Sequence, residues 1–311
     1  MGGMVFYQAY YHSFHSAGSG TSLLLDVTAV MVVEIFLVSI FAGLVGALFG
    51  LGGGILIIPF LTLVEGIPVQ FAVGASLMAV VATSSASAAT YVQDHLTNLR
   101  LGMFLEIGTV AGAITGAYVS IFFQGPNSWF LFILFGALLV YAAVVMLAGR
   151  KQDAPSEVRP DRLAATLSLG GQYPDPATGR AVEYQVTRTP QTVGISYFAG
   201  IVSALLGVGG GIIQVPTMNL VSKVPVKAAS ATSNFMIGVT AAASASVYFL
   251  RGQVYFLLAA PLMIGVVAGA AIGTRLLRST PPLRIKLLFA ILLLLISVDM
   301  LIQGVTKYRA G

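Results

Sequence analysis

Residues 41–59 read FAGLVGALFGLGGGILIIP, and residues 198–216 read FAGIVSALLGVGGGIIQVP. A shift of 157 residues superposes them with 12 of 19 positions identical. The same register runs on without a gap. Pro68 meets Pro225, Ser76 meets Ser233, Thr83 meets Thr240, Ser87 meets Ser244 and Tyr91 meets Tyr248. Gly108, Gly112 and Gly116 meet Gly265, Gly269 and Gly273. Chance does not hold one register over so many positions, so the chain is an internal duplication. Each copy carries a glycine triplet, Gly52, Gly53 and Gly54 or Gly209, Gly210 and Gly211, inside an apolar run. Each glycine disfavours helix by about 1 kcal/mol, so each triplet reads as a helix break.

The surroundings of the triplets set the class. The chain has 311 residues, 57% of them apolar or aromatic and only 9% charged, against roughly 25% charged in an average globular chain. With a mean hydropathy of +0.91, this excludes a water-soluble enzyme, a disordered chain and a nucleic-acid binder. The net charge of +5 is not gathered into any basic patch. There is no cysteine, hence no disulfide, thiolate metal site or cysteine nucleophile. Runs long enough to cross a bilayer lie near 29–51, 70–93, 101–123 and 128–149, and recur near 192–208, 227–250, 254–277 and 283–304. The pieces 55–65 and 212–221 after the triplets are too short to cross alone, because eleven helical residues cover only about 17 Å.

The expected fold is an all-α polytopic membrane protein of two inverted repeats, each a glycine-broken helix hairpin plus three transmembrane helices. Its parts are an extracytoplasmic N-terminal segment (1–28), a first repeat (29–149), a cytoplasmic linker (150–189) and a second repeat (190–305). The N-terminal segment has no Lys or Arg and no apolar core, so it does not read as a cleaved signal peptide. In the linker, the stretch from Tyr173 to Val186 reads as a small hairpin. Charge argues for inversion, since cytoplasmic loops collect Lys and Arg. If each triplet is the tip of a hairpin that returns to its starting side, each repeat has an odd number of elements and the second copy is upside down. Basic residues then divide 13 inside and three outside, the three being Arg251, Lys307 and Arg309. If each triplet instead interrupts one continuous crossing, the copies are parallel and the division is 10 to six.

Chemistry is expected at the breaks. The helix after each triplet offers free N–H groups and a partial positive charge, which suit an anion. Two such ends, related by an axis in the membrane plane, would converge near the midplane. The competing reading gives the glycines no role beyond tight helix packing. On the next helix of each copy, hydroxyls recur on one face: Ser76, Thr83, Ser87 and Tyr91, then Ser233, Thr240, Ser244 and Tyr248. The second copy adds Thr232 and Asn234 where the first has Ala75 and Leu77. The expected site is therefore symmetric in scaffold and asymmetric in chemistry. Gly108, Gly112, Gly116 and their counterparts read as close-packing faces. The ionisable residues at membrane depth are Glu34, Glu106 and Asp299. Each sits near a predicted helix end within reach of solvent, and Glu34 and Glu106 are the proton-coupling candidates. His12 and His15 make only a weak metal pattern. No cofactor and no metal are expected, and no enzymatic motif is found.

At FAGLVGALFGLGGGILIIP, FAGIVSALLGVGGGIIQVP and the following VKAASATSNFMIGVTAAASA (226–245), the chain resembles the sulfite exporter TauE/SafE family of membrane permeases. The resemblance implies sulfite or related small sulfur oxyanions and organosulfonates as substrates, moved across the plasma (inner) membrane. The expectation is thus a multi-pass exporter working by alternating access, with Gly52–Gly54, Gly209–Gly211, Ser76, Thr83, Thr232, Ser233, Asn234 and Thr240 around the anion. Its partners would be that anion and the lipid bilayer, with no nucleic acid, and a homo-oligomer remains open. The alternatives are an anion channel on the same scaffold and a membrane-embedded sensor or enzyme.

Overall fold

The computed structural model describes residues 29–148, 158–175, 180–276 and 282–310. The N-terminal segment, with His12 and His15, lies outside the described residues. The first repeat contains α1 (Ala29–Phe49), a short α2 (Gly54–Pro59), α3 (Val69–Gln93), α4 (Leu99–Val119) and α5 (Trp129–Ala148). The linker contributes α6 (Arg162–Thr166) and the antiparallel strands β1 (Gly171–Asp175) and β2 (Arg180–Tyr184), the hairpin expected there. The second repeat contains α7 (Thr189–Leu206), α8 (Gly211–Pro216), α9 (Val226–Leu250), α10 (Phe256–Leu276) and α11 (Pro282–Ala310). Among the described residues, seven helical stretches are long and apolar enough to cross a bilayer, so the protein is an all-α polytopic membrane protein.

The run near 192–208 is not one of the seven. It falls in α7, whose 18 residues open with Thr189, Pro190, Gln191 and Thr192. Thr189, Thr192, Ser196 and Ser203 on this helix are all buried at 0% exposure. These four polar groups therefore face protein, and the helix needs less apolar surface than one bathed in lipid.

Both triplets break the helix for the same two reasons. Gly52, Gly53, Gly209 and Gly210 have φ of 77°, 77°, 77° and 80°, in the left-handed region that only glycine adopts at little cost. Gly54 and Gly211 have ordinary φ but no room. A Cβ on Gly54 would come within 2.3 Å of the Gly207 carbonyl oxygen, and one on Gly211 within 1.9 Å of the Gly50 carbonyl oxygen. Each short helix then meets a proline, Pro59 or Pro216, which has no N–H for the ladder. The following turn widens to π geometry over Phe60–Val64 and Thr217–Val221, closed by Glu65 N–H to Phe60 O (3.2 Å) and Ser222 N–H to Thr217 O (3.3 Å).

The halves pack reciprocally. Helix α1 lies against α10, and its counterpart α7 lies against α4. Likewise α3 contacts α10 while α9 contacts α4, and the equivalent pairs α3–α9 and α5–α11 meet each other. Such an exchange of contacts is what a two-fold rotation between halves produces. The periodic glycines make the close approaches. A Cβ on Gly112 would meet the Tyr197 carbonyl oxygen of α7 at 1.9 Å, and one on Gly269 the Ile40 carbonyl oxygen of α1 at 1.9 Å. The packing role read for these faces is thereby borne out.

The linker breaks the symmetry. Ala164, Leu169, Tyr173, Tyr184 and Val186 form one apolar cluster with Leu101 and Leu105 of α4, Met218 and Val224 after α8, and Ala228, Ala229 and Met236 of α9. Asn98, which caps α4 by accepting from Leu101 N–H at 3.0 Å, also donates to the Leu169 carbonyl (2.8 Å) and the Tyr184 hydroxyl (3.0 Å). Asp161 holds the other end, accepting from Ala164 N–H (2.7 Å) and Thr189 N–H (2.5 Å).

Candidate functional site: two glycine tips face to face

The glycine loops meet at the middle of the molecule. Ser76 on α3 donates across the interface to the Gly207 carbonyl at 2.8 Å, and Ser233 on α9 donates to the Gly50 carbonyl at 3.4 Å. Each tip is thus held by a hydroxyl of the other half. Tyr91 and Tyr248 secure the preceding turns, donating to Ala47 O (2.9 Å) and Ala204 O (3.0 Å). The N–H groups of Gly52, Gly53, Gly54, Gly209, Gly210 and Gly211 donate no hydrogen bond among the described residues. Between the tips stand Val80 and Ile237, an equivalent pair in the repeat register. A Cβ on Gly52 would lie 3.0 Å from both side chains, and one on Gly209 would lie 2.8 Å and 2.4 Å from them. In this conformation the tips are closed over an apolar plug.

The other predicted residues divide into two groups. Asn234, 1% exposed, bridges α9 to α3: its Oδ1 accepts from Ser87 Oγ (3.1 Å), its Nδ2 donates to Ser230 O (3.1 Å), and its carbonyl accepts from Ser84 Oγ. Gly50 adjoins it, since a Cβ there would lie 3.4 Å from Nδ2. Thr232 and Thr240 instead face α4. Thr232 accepts from Asn98 N–H at 3.0 Å, and Thr240 donates to Glu106 Oε1 at 2.6 Å. Thr83 bonds only its own helix, at Ala79 O (2.9 Å).

Glu106 is 7% exposed, and its second oxygen, Oε2, is buried without a partner. The expectation that solvent reaches it is corrected here: although it lies two turns from the helix start, α9 covers it. Glu34 remains exposed, away from the tips, and meets the carboxyl of Glu65. Sequence reading overlooked Glu65, and also Gly50 and Gly207, which complete each tip and share the repeat register.

A family model described as Sulfite exporter TauE/SafE matches residues 35–300. The chain belongs to this family. Among curated relatives of this TauE/SafE chain, "Probable membrane transporter protein YunE" of Bacillus subtilis is 28% identical over 280 residues, covering 88% of this chain and 98% of the relative. A "Probable membrane transporter protein" of Methanocaldococcus jannaschii is 25% identical over 86% of this chain and 94% of its own length. One from Xylella fastidiosa is 26% identical over 75% of this chain and 81% of its own. No solved structure matches the chain. The matched region takes in both tips and the hydroxyl-bearing helices, so the site described above lies within the family's shared body. The protein is a multi-pass member of a membrane transporter family.

Proposed function

We propose that this TauE/SafE protein is a carrier that exports small sulfur-containing anions, sulfite or an organosulfonate, across the plasma membrane by alternating access between two inverted halves. One observation carries the reading: two glycine tips with unspent N–H groups are brought face to face, each tied to a hydroxyl of the opposite half. Backbone N–H groups and hydroxyls stabilise an oxyanion without a buried counter-charge, and a singly or doubly charged sulfur oxyanion is the substrate class they suit. The apolar plug of Val80 and Ile237, packed against both tips, favours a carrier over a standing open channel. Rocking of one half against the other would part the reciprocal Ser76 and Ser233 bonds and draw the plug aside.

Energetics fit export. A dianion leaving a cell that is negative inside gains about 4.6 kcal/mol at about 100 mV, at roughly 2.3 per charge, and needs no coupled ion. Uptake would need one. Glu106, buried with a free oxygen, suits that role better than the exposed Glu34. The test is flux into liposomes with sulfite, sulfate, thiosulfate and small sulfonates. Saturable, counterflow-competent movement of at least one is expected. Single-channel currents would replace the carrier with a channel, and binding without any movement would replace it with a sensor.

A further inference from the structure

The repeat register isolates two buried polar residues that the fold itself does not require. Ser203 on α7 stands where the first half has Gly46, and Gln214 on α8 stands where the first half has Ile57. Both are interior, at 0% and 1% exposure, and both keep a buried polar atom without a partner: the Ser203 hydroxyl oxygen and Gln214 Nε2. An unpaired buried polar atom is a net cost, and one with no structural return when the first half builds the same hairpin from Gly46 and Ile57.

Their placement is specific. Helices α7 and α8 form the two arms of the second hairpin, and two rungs cross between them. Near the tip, a Cβ on Gly210 would lie 3.3 Å from Ser203 Cβ and 3.6 Å from its Oγ. One step farther along, Ser196 Oγ donates to Gln214 Oε1 at 3.2 Å. That bond uses the amide oxygen and leaves the NH2 group open. Ser203 and Ser196 are seven residues apart on one face of α7, so both rungs belong to one seam. In the first half the matching seam is dry of side-chain donors. Gly46 packs on the backbone nitrogen of Gly53, and Ser39 turns away to Phe36 O at 2.7 Å.

We infer that Ser203 and Gln214 form an oxyanion subsite beside the second glycine tip, so that the carrier holds its substrate on one half rather than on the pseudo-symmetry axis. The inference rests on the transport reading and names where and by what the anion is recognised. The open groups there are donors: the Gln214 NH2, the Ser203 hydroxyl, and the N–H groups of Gly209 and Gly210. Such a set suits a ligand rich in acceptor oxygens, as a sulfite or sulfonate head is.

The first half supplies the test, because it shows which residues the scaffold accepts at these positions. Gln214→Ile and Ser203→Gly give the second hairpin the chemistry of the first; Gln214→Met, of similar length, stands in if the isoleucine variant does not accumulate. The full-length protein is read two ways with sulfite, sulfate, thiosulfate and small sulfonates: anion-induced thermal shift in detergent, and KM for flux in liposomes. The expected result is an unliganded protein at least as stable as wild type, a lost anion-induced shift, and a KM raised roughly tenfold or more per variant. Wild-type response with unchanged shift and KM in the variants would overturn the subsite while leaving the transport reading intact. Greater stability with an unchanged anion response would also overturn it, marking the seam as a place for internal water alone. A wild-type protein silent to every anion would overturn the transport reading and the subsite together.

Discussion

At the scale of single residues, the decisive positions differ in why they are glycine, and substitutions should separate the reasons. Gly211 has ordinary φ and fails only for space, since its Cβ would meet the Gly50 carbonyl oxygen at 1.9 Å. Gly211→Ala should therefore cost about 1–3 kcal/mol of overpacking, read as a lower melting temperature in detergent. Gly66, with φ of 67° and nothing within 4 Å of a Cβ, fails for the opposite reason, and Gly66→Ala should cost about 1–2 kcal/mol from backbone strain alone. The polar asymmetry is testable in the same way. Asn234→Ala removes the acceptor of Ser87 and the partner of Ser230 O, so it should lower both stability and anion affinity. Leu77→Ala at the matching position of the first half should lower stability alone, by about 2–5 kcal/mol. Equal changes in flux KM for the two would remove Asn234 from the anion site. Much at this scale was legible in the sequence, because three consecutive glycines inside an apolar run weaken a helix whatever packs around them. The partners were not. Nothing in the spacing of Ser76 or Ser233 tells that each reaches a carbonyl of the opposite half, and nothing near Glu106 in sequence announces Thr240, 134 positions away.

At the scale of elements, two devices invite tests. The first is the plug. Val80 and Ile237 are 0% and 1% exposed and pack against both tips. Ile237→Ala should cost about 2–5 kcal/mol and open a void there. If the plug is the barrier, anion leak from loaded liposomes should rise even without substrate on the far side, while Ile213→Ala, on α8 and away from the axis, should not leak. The second is the clamp at Asp161. Burial alone would raise its carboxyl, but hydrogen bonds from the N–H groups of Ala164 and Thr189 outweigh that and hold it below the usual range. A carboxyl depressed in the folded state stabilises the fold above its unfolded value, near 3.9, and that contribution is lost as pH falls through the folded value. Hydrogen exchange of the linker segment 162–169 should therefore accelerate as pH falls below about 4, after correction for intrinsic rates, with Asp161→Asn fast at every pH. The hairpin itself was legible from its turn residues. Its docking on α4 and α9 was not, because Tyr173, Tyr184 and Val186 look like any apolar residues of a polar linker until their partners are in place.

At the scale of the whole molecule, the reciprocal contacts of the halves and the distribution of charge bear on one question, the direction of each half in the bilayer. The packing of α1 on α10 and of α7 on α4 is the exchange that a two-fold between halves produces. Lipid decides whether that axis lies in the membrane plane or along its normal. With the axis in the plane, residues paired in the repeat register lie on opposite sides of the membrane. Asp94 after α3 and Arg251 after α9 are such a pair, separated by the 157-residue shift. Arg251 is held where it stands, donating to Ala117 O at 2.6 Å and lying 5.0 Å from the Tyr118 ring, so its side of the membrane reports that of the whole end of α9. The chain has no cysteine, and single cysteines at Gln93 and at Gly252 can be labelled from either side without background. The inverted arrangement predicts that Gln93→Cys reacts with a membrane-impermeant thiol reagent only in inside-out vesicles, together with a cysteine at Ser168 in the linker. Gly252→Cys and a cysteine at Arg309 should react only in intact cells. Labelling of Gln93 and Gly252 from one and the same side would place the axis along the membrane normal. The tips would then point the same way, and exchange of access between two opposed halves would lose its physical basis.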